Sequence, residues 1–166
     1  MAIEKPKYEV IQKDGKFELR HYEPMILAQT QETALRGAGG FNTVFNYIGG
    51  NNAEGKKISM TAPVINEIDG EEMTIAFVMP SEFDCETLPD PNDPRLQLKE
   101  IPARKVAAVT FSGTVNPQMI EEKKQELLDW LKQQEVKVVG QAELARYNPP
   151  FLPGFIKRNE ILIEVE

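Results

Sequence analysis

The chain has 166 residues, 41% of them apolar and 27% charged, and a formal net charge of −7. That length suits one domain with its own core, and that balance excludes a disordered chain. Basic residues gather no more densely than in pairs, such as Lys56-Lys57, Lys123-Lys124 and Lys157-Arg158, so no nucleic acid partner is expected.

Tyr8 to Gln12 predicts a short strand, and Asp14-Gly15 a hairpin turn. Phe17 to Thr30 predicts one long strand, bent or interrupted at Pro24. Thr33 to Gly50 is helical in pattern, with Leu35, Phe41, Val44, Phe45 and Ile48 at a 3.6-residue period. Gly37, Gly39 and Gly40 weaken its first half, so the firm helix is expected from about Gly39 to Gly49-Gly50. Asn51 to Lys57 is a polar, flexible loop. Strands follow over Lys57 to Asn66 and Met73 to Pro80, joined through Asp69-Gly70. Ser81 to Arg95, with Pro89, Pro91 and Pro94, is an exposed connection. A strand pair covers Leu96 to Ile101 and Lys105 to Ser112. Asn116-Pro117 starts a second helix, an N-cap followed by proline at the first helical position. Its apolar face is Ile120, Leu127, Leu128 and Leu131. The last strands are Ala142 to Tyr147 and Glu160 to Val165.

The longest apolar runs, such as Ile75 to Met79, are far too short to cross a bilayer, so no membrane partner is expected. Met1 to Lys7 has no apolar segment of secretory type, and Cys85 is the single cysteine. Both fit a cytoplasmic location.

The halves of the chain, about 7–80 and 95–166, repeat one plan: two strands, a helix, two strands. Pro63 and Pro149 fall at matching corners, and Ile75 and Ile161 each follow twelve residues later. The expected fold is α+β: a distorted eight-stranded antiparallel β-barrel built from two pseudo-symmetric ββαββ repeats, with two helices packed outside.

Catalytic signatures are sparse. One histidine allows no two-histidine metal site, and no phosphate-binding glycine pattern is present. Cys85 and His21 have no evident orienting partner. His21 is a candidate axial ligand for haem iron, or a strand-end histidine bonded to a carboxylate or water.

Several motifs stand in order along the chain: Tyr8-Glu9-Val10, Arg20-x-Tyr22-x-Pro24, Tyr47-Ile48-Gly49-Gly50, Met60-Thr61-Ala62-Pro63-Val64, Tyr147 to Pro150, and Arg158-Asn159-Glu160. Through them the chain resembles the SOUL family of haem-binding proteins from about Tyr8 to Val165. The resemblance implies a single haem-binding domain over 1–166. It also implies a shallow apolar cleft on the outside, between the first helix and the loop before the last strand. Haem or another tetrapyrrole, a small planar hydrophobic ligand, would sit there for buffering or transport, not covalently held and not chemically changed.

Phe41, Val44, Phe45 and Ile48 are then candidates for one wall, and Met60, Phe151 and Phe155 for the other. Lys56, Lys57 and Arg158 would meet the propionates. Where some members carry a basic residue after the double proline, this chain has Leu152. Core packing is the competing role for the helix aromatics and for Met60, a structural turn for Phe151 and Phe155, and a polar network for Arg158-Asn159-Glu160. The same strand plan is similar to that of gyrase-inhibitor-like effector-binding domains, some of which hydrolyse small molecules. Glu160 would be the carboxylate for such chemistry, although its strand parity points it away from the face of Ile161 and Ile163. A protein-interaction module is a third reading.

Overall fold

The computed structural model describes residues 3–33, 39–68, 72–148, 153–154 and 157–166. In chain order these form β1 (Tyr8–Asp14), β2 (Phe17–Tyr22), β3 (Met25–Gln31), α1 (Gly39–Ile48), β4 (Val64–Glu67), β5 (Thr74–Val78), β6 (Gln97–Ile101), β7 (Arg104–Ser112), α2 (Pro117–Gln133), β8 (Val138–Arg146) and β9 (Arg158–Val165). The described strands make one antiparallel sheet of nine in the order β1-β2-β7-β9-β8-β4-β5-β3-β6.

Nine strands replace the expected eight because Pro24 interrupts its strand, the second of the two outcomes expected there. Proline carries no N–H for a ladder, and the two sides of the break find different partners. β2 pairs with β1 and β7, whereas β3 pairs with β5 and β6.

This break shapes the whole sheet. β2 and β3 stand second and eighth in the order, yet only Glu23 and Pro24 join them. In a flat sheet those strands would lie roughly 29 Å apart. Three Cα steps reach at most about 11 Å. β6 and β7 stand ninth and third and are joined only by Pro102 and Ala103. The sheet must therefore curl until both corners close. The expected barrel is not reached, however: no ladder joins β1 to β6 among the described residues, so the ring stays open.

The helices pack on the outer face, α1 on β3 and β5, α2 on β7, β8 and β9. Under α2 lie Leu127, Trp130 and Leu131 against Ala107, Val109, Ile161 and Ile163. Under α1 lie Val44, Tyr47 and Ile48 against Ala28, Phe77 and Met79. The inner face carries two further apolar clusters, one around Tyr22, Val106, Ala108 and Leu162, the other around Leu27, Ile65, Ala76 and Val78. Met25 packs against both.

Local signals set the helix ends. The Asn116 side chain accepts from Met119 N at 2.9 Å, capping α2 behind Pro117. α1 begins at Gly39, with no acidic residue in its first turn. Its free N–H groups are met from outside the helix. Buried Glu32 accepts from Gly40 N (3.1 Å) and Phe41 N (3.2 Å), placing a carboxylate at the positive end of the helix dipole. Glu32→Ala is expected to cost about 1–2 kcal/mol, readable as a lower urea midpoint with an unchanged slope. The start of the expected helical stretch, with Leu35 and Gly37, and the Asp69-Gly70 turn lie outside the described residues.

The strand expected over Lys57 to Asn66 is shorter. β4 begins only at Val64, and Ile58 to Thr61 forms no ladder beyond a single bridge between Thr61 and Glu4. The Thr61 hydroxyl instead donates to Val78 O at 2.5 Å, and Ala62 N donates to Glu4 O at 3.0 Å. Met60 therefore lies in an extended segment beside the sheet rather than on a strand.

Candidate functional site

The helical period divides the four α1 residues expected to form a wall. Val44 and Ile48 are 0% and 4% exposed and face the sheet, so they belong to the core. Phe41 is half-buried against the apolar cluster, and Phe45, one turn on, faces outward. Their rings stack at 5.8 Å and 14°, and Phe41 meets Phe77 edge-on at 5.2 Å. Phe45 is 50% exposed, a large aromatic surface left open to solvent.

The segment carrying Met60 is tied to the end of α1 by Ile58 N donating to Ile48 O at 2.8 Å. Met60 is half-buried and packs against the same apolar cluster as Phe41. The loop between them is braced rather than flexible. Buried Asn52 donates to Tyr47 O and Lys56 O, and accepts from Glu54 N and Lys56 N. Lys56 and Lys57 are exposed at its end. The Lys56 ammonium lies 4.9 Å from the centroid of the Phe83 ring. Phe151, Leu152 and Phe155 lie outside the described residues.

Arg158 does not stand apart with those lysines. Its Nη2 donates to Glu160 Oε2 at 3.0 Å, and its guanidinium stacks on Tyr147 at 4.3 Å. Both belong to an ionic cluster on the inner face, where register places Arg20, Tyr22, Val106, Ala108, Thr110 and Glu160 together. Arg20, 1% exposed, grips Glu160 with both terminal nitrogens, Nη1 to Oε1 at 2.8 Å and Nη2 to Oε2 at 2.5 Å. Tyr147 OH (2.7 Å) and Thr110 Oγ1 (3.0 Å) also donate to the carboxylate. Arg20 Nε donates to Glu18, its Nη1 to Tyr22 OH, and its plane lies 4.3 Å from the Tyr8 ring.

Burial would raise the Glu160 carboxyl, but the bonds and charge of Arg20, then the bonds from Tyr147 and Arg158, outweigh it and hold the pKa at about 2. Burial pushes the Tyr22 hydroxyl up to about 12. Tyr147 rises through burial and the charge of Glu160. A carboxylate that is fully bonded and so acidic is a poor general base. Glu160 acts here as the anchor of an ion-pair network.

Tyr8, Arg20, Tyr22, Tyr147, Arg158 and Glu160, drawn from four separate sequence motifs, thus meet at one point. The SOUL heme-binding protein family model matches residues 3–164. The chain belongs to that family. No curated protein sequence matches it. Its fold is similar to that of the EcmrR C-terminal domain, at 13% identity and TM-score 0.65 over 96% of this chain and 98% of that one. It is also similar to a hydrolase from Listeria innocua (9%, TM-score 0.66, 94% of each chain). An uncharacterized conserved protein from the same organism gives 9% identity and TM-score 0.68, over 91% of this chain and 92% of that one.

For a SOUL-family chain the question is which residues suit a tetrapyrrole. Phe45 and Phe41 offer an accessible aromatic surface, and Lys56 and Lys57 offer cations near the end of the same helix; both fit a flat ring bearing carboxylates. A protein ligand for iron is less well served. His21 is exposed on β2, in register with Glu9 and Lys105, on a different element from α1 and the Met60 segment. No group of three or more His, Cys, Asp or Glu that could hold a metal occurs among the described residues. The Cys85 thiol is exposed, and a hydrogen bond with Glu100 raises its pKa, which makes it a weak nucleophile.

Proposed function

We propose that this SOUL-family protein holds a haem or another tetrapyrrole against the outer face of α1, for buffering or transport. The half-exposed Phe45 ring, stacked on Phe41, carries the reading. A planar macrocycle covers such a surface by dispersion and burial. Met60 extends the apolar face, Lys56 and Lys57 meet the propionates, and Phe151, Leu152 and Phe155, outside the described residues, are the further contacts that the family resemblance implies. Val44 and Ile48 support the wall from beneath. Arg158 acts indirectly, by fixing the start of β9. His21 supplies no bond to iron.

The proposed setting is cytoplasmic, with no nucleic acid partner. Among the described residues no helix is long and apolar enough to cross a membrane. We take the chain as one domain of two pseudo-symmetric halves, about 7–80 and 95–166. The strand order supports this: β7-β9-β8 and β4-β5-β3 mirror each other about the β8–β4 ladder, with one helix inserted in each.

Hemin titration tests the function. The expected result is a saturable Soret shift near one equivalent. Phe45→Ala should weaken binding at least about tenfold, the equivalent of about 1.4 kcal/mol of lost ring burial, and a joint Phe151→Ala and Phe155→Ala change should do the same. His21→Ala should leave the affinity unchanged. A flat titration, matching an unrelated acidic protein, would refute the proposal.

A further inference from the structure

A second cleft, of about 750 Å³, opens elsewhere, between the N-terminal segment Glu4–Lys7, the β2–β3 corner and the β6–β7 corner. None of Phe41, Phe45, Lys56, Lys57 or Met60 lines it, and the two faces adjoin where the Lys56 ammonium meets the Phe83 ring of the cleft. Its apolar lining is Met25, Ile26, Val78, Met79, Phe83 and Ile101. A space of this size suits a drug-sized molecule.

The walls say what kind of molecule. Pro6, Pro24, Pro80 and Pro102 stand in them and have no N–H to give. Four other backbone donors of the lining are already spent. Ser81 N donates to the Glu4 carboxylate, Glu23 N to Lys7 O, Met79 N to Ile26 O and Phe83 N to Pro80 O. Two of the charged rim groups already have neighbours. The Asp84 carboxylate accepts from Glu86 N and Thr87 N, and the Lys5 ammonium lies 5.9 Å from the Tyr147 centroid. Acids outnumber bases around the rim: Glu4, Glu23, Asp84 and Glu100 against Lys5 and Lys7. A carboxylate or phosphate would find few free donors and a repulsive rim.

We infer that this cleft binds an apolar small molecule without negative charge, at a site beside but distinct from the face proposed for the tetrapyrrole. The N-terminal segment is a fixed wall of the cleft: Glu4 accepts from Ala62 N and Ser81 N, and Lys7 O from Glu23 N.

Nile red, a neutral apolar dye, tests the inference on the whole chain. Its emission should shift to the blue and saturate at one equivalent. Ser81→Trp, which fills the cleft from an exposed position, should weaken binding about tenfold or more. Ile101→Glu, which places a charge in the lining, should do the same. Phe45→Ala and one equivalent of hemin should leave dye binding unchanged. The inference is overturned if the dye shows no saturable site, or if both cleft variants keep its affinity within twofold. It is equally overturned if Phe45→Ala or hemin removes the dye, since the dye would then occupy the α1 face. The cleft variants read independently of hemin, so failure of the tetrapyrrole reading leaves this test intact.

Discussion

Glu160→Ala is expected to lower stability by about 3 kcal/mol, the lower end of what removing one partner of a buried ion pair costs. Arg20 is left buried with its charge met only by Glu18, and the Tyr147 hydroxyl and Thr110 lose their acceptor. Urea denaturation checks this through its midpoint. Replacing both partners, Arg20→Met with Glu160→Leu, should recover much of the loss, because no uncompensated charge remains. A pH series gives a second check. The Glu160 pKa is depressed from 4.5 to about 2 in the folded protein. A depressed carboxyl stabilises the fold above its unfolded pKa, and that contribution, about 3 kcal/mol for a shift of this size, is lost as pH falls through the folded pKa. The wild type should therefore lose stability between about pH 4.5 and 2, and the double variant should lose less over that window.

Gly40→Ala should cost about 1 kcal/mol net, although alanine is the better helix former. Its Cβ would stand 2.6 Å from Gln31 O and 2.8 Å from Ile75 Cγ2, with Glu32 Oε2 at 3.1 Å. The first is backbone of β3 and the second a fully buried side chain, so neither yields easily. Overpacking of this kind costs about 1–3 kcal/mol, more than the roughly 1 kcal/mol gained in propensity. α1 must lift away from β3 and β5, so hemin affinity should fall as well. Gly39→Ala is the matched control. Nothing lies within 4 Å of its added Cβ, and thermal melts should show no loss or a gain of a few tenths of a kcal/mol.

The contrast between neighbouring glycines marks what a sequence can disclose. Asp14-Gly15, the Asn116-Pro117 start and the Gly49-Gly50 stop are local signals, and the elements end where they point. The family motifs, too, were legible as a set. Their meeting place was not. Arg20 and Tyr22 share one face of β2, and Arg158 and Glu160 one face of β9, but only the insertion of β7 between those strands brings them together. Nothing near Pro24 reveals that β2 and β3 end at opposite sides of the sheet. On α1, four apolar positions, Phe41, Val44, Phe45 and Ile48, satisfy the same period. Which of them stays open depends on how much helix surface β3 and β5 can cover, so Val44 and Phe45 look alike until the sheet is present. Met60 appeared to follow strand alternation, but Thr61 and Ala62 spend their hydrogen bonds on Val78 and Glu4.

The two short corners at Glu23-Pro24 and Pro102-Ala103 also bear on how the chain assembles. The β2–β7, β3–β6 and β4–β8 ladders each join a strand from before the Ser81–Arg95 connection to one from after it. Each segment thus clasps the other at three places, and neither can finish its own sheet. Cut in that connection, the two fragments should be unfolded singly and regain structure only on mixing. The intact chain should fold slowly and in a single step, because its decisive pairings are between residues distant in sequence.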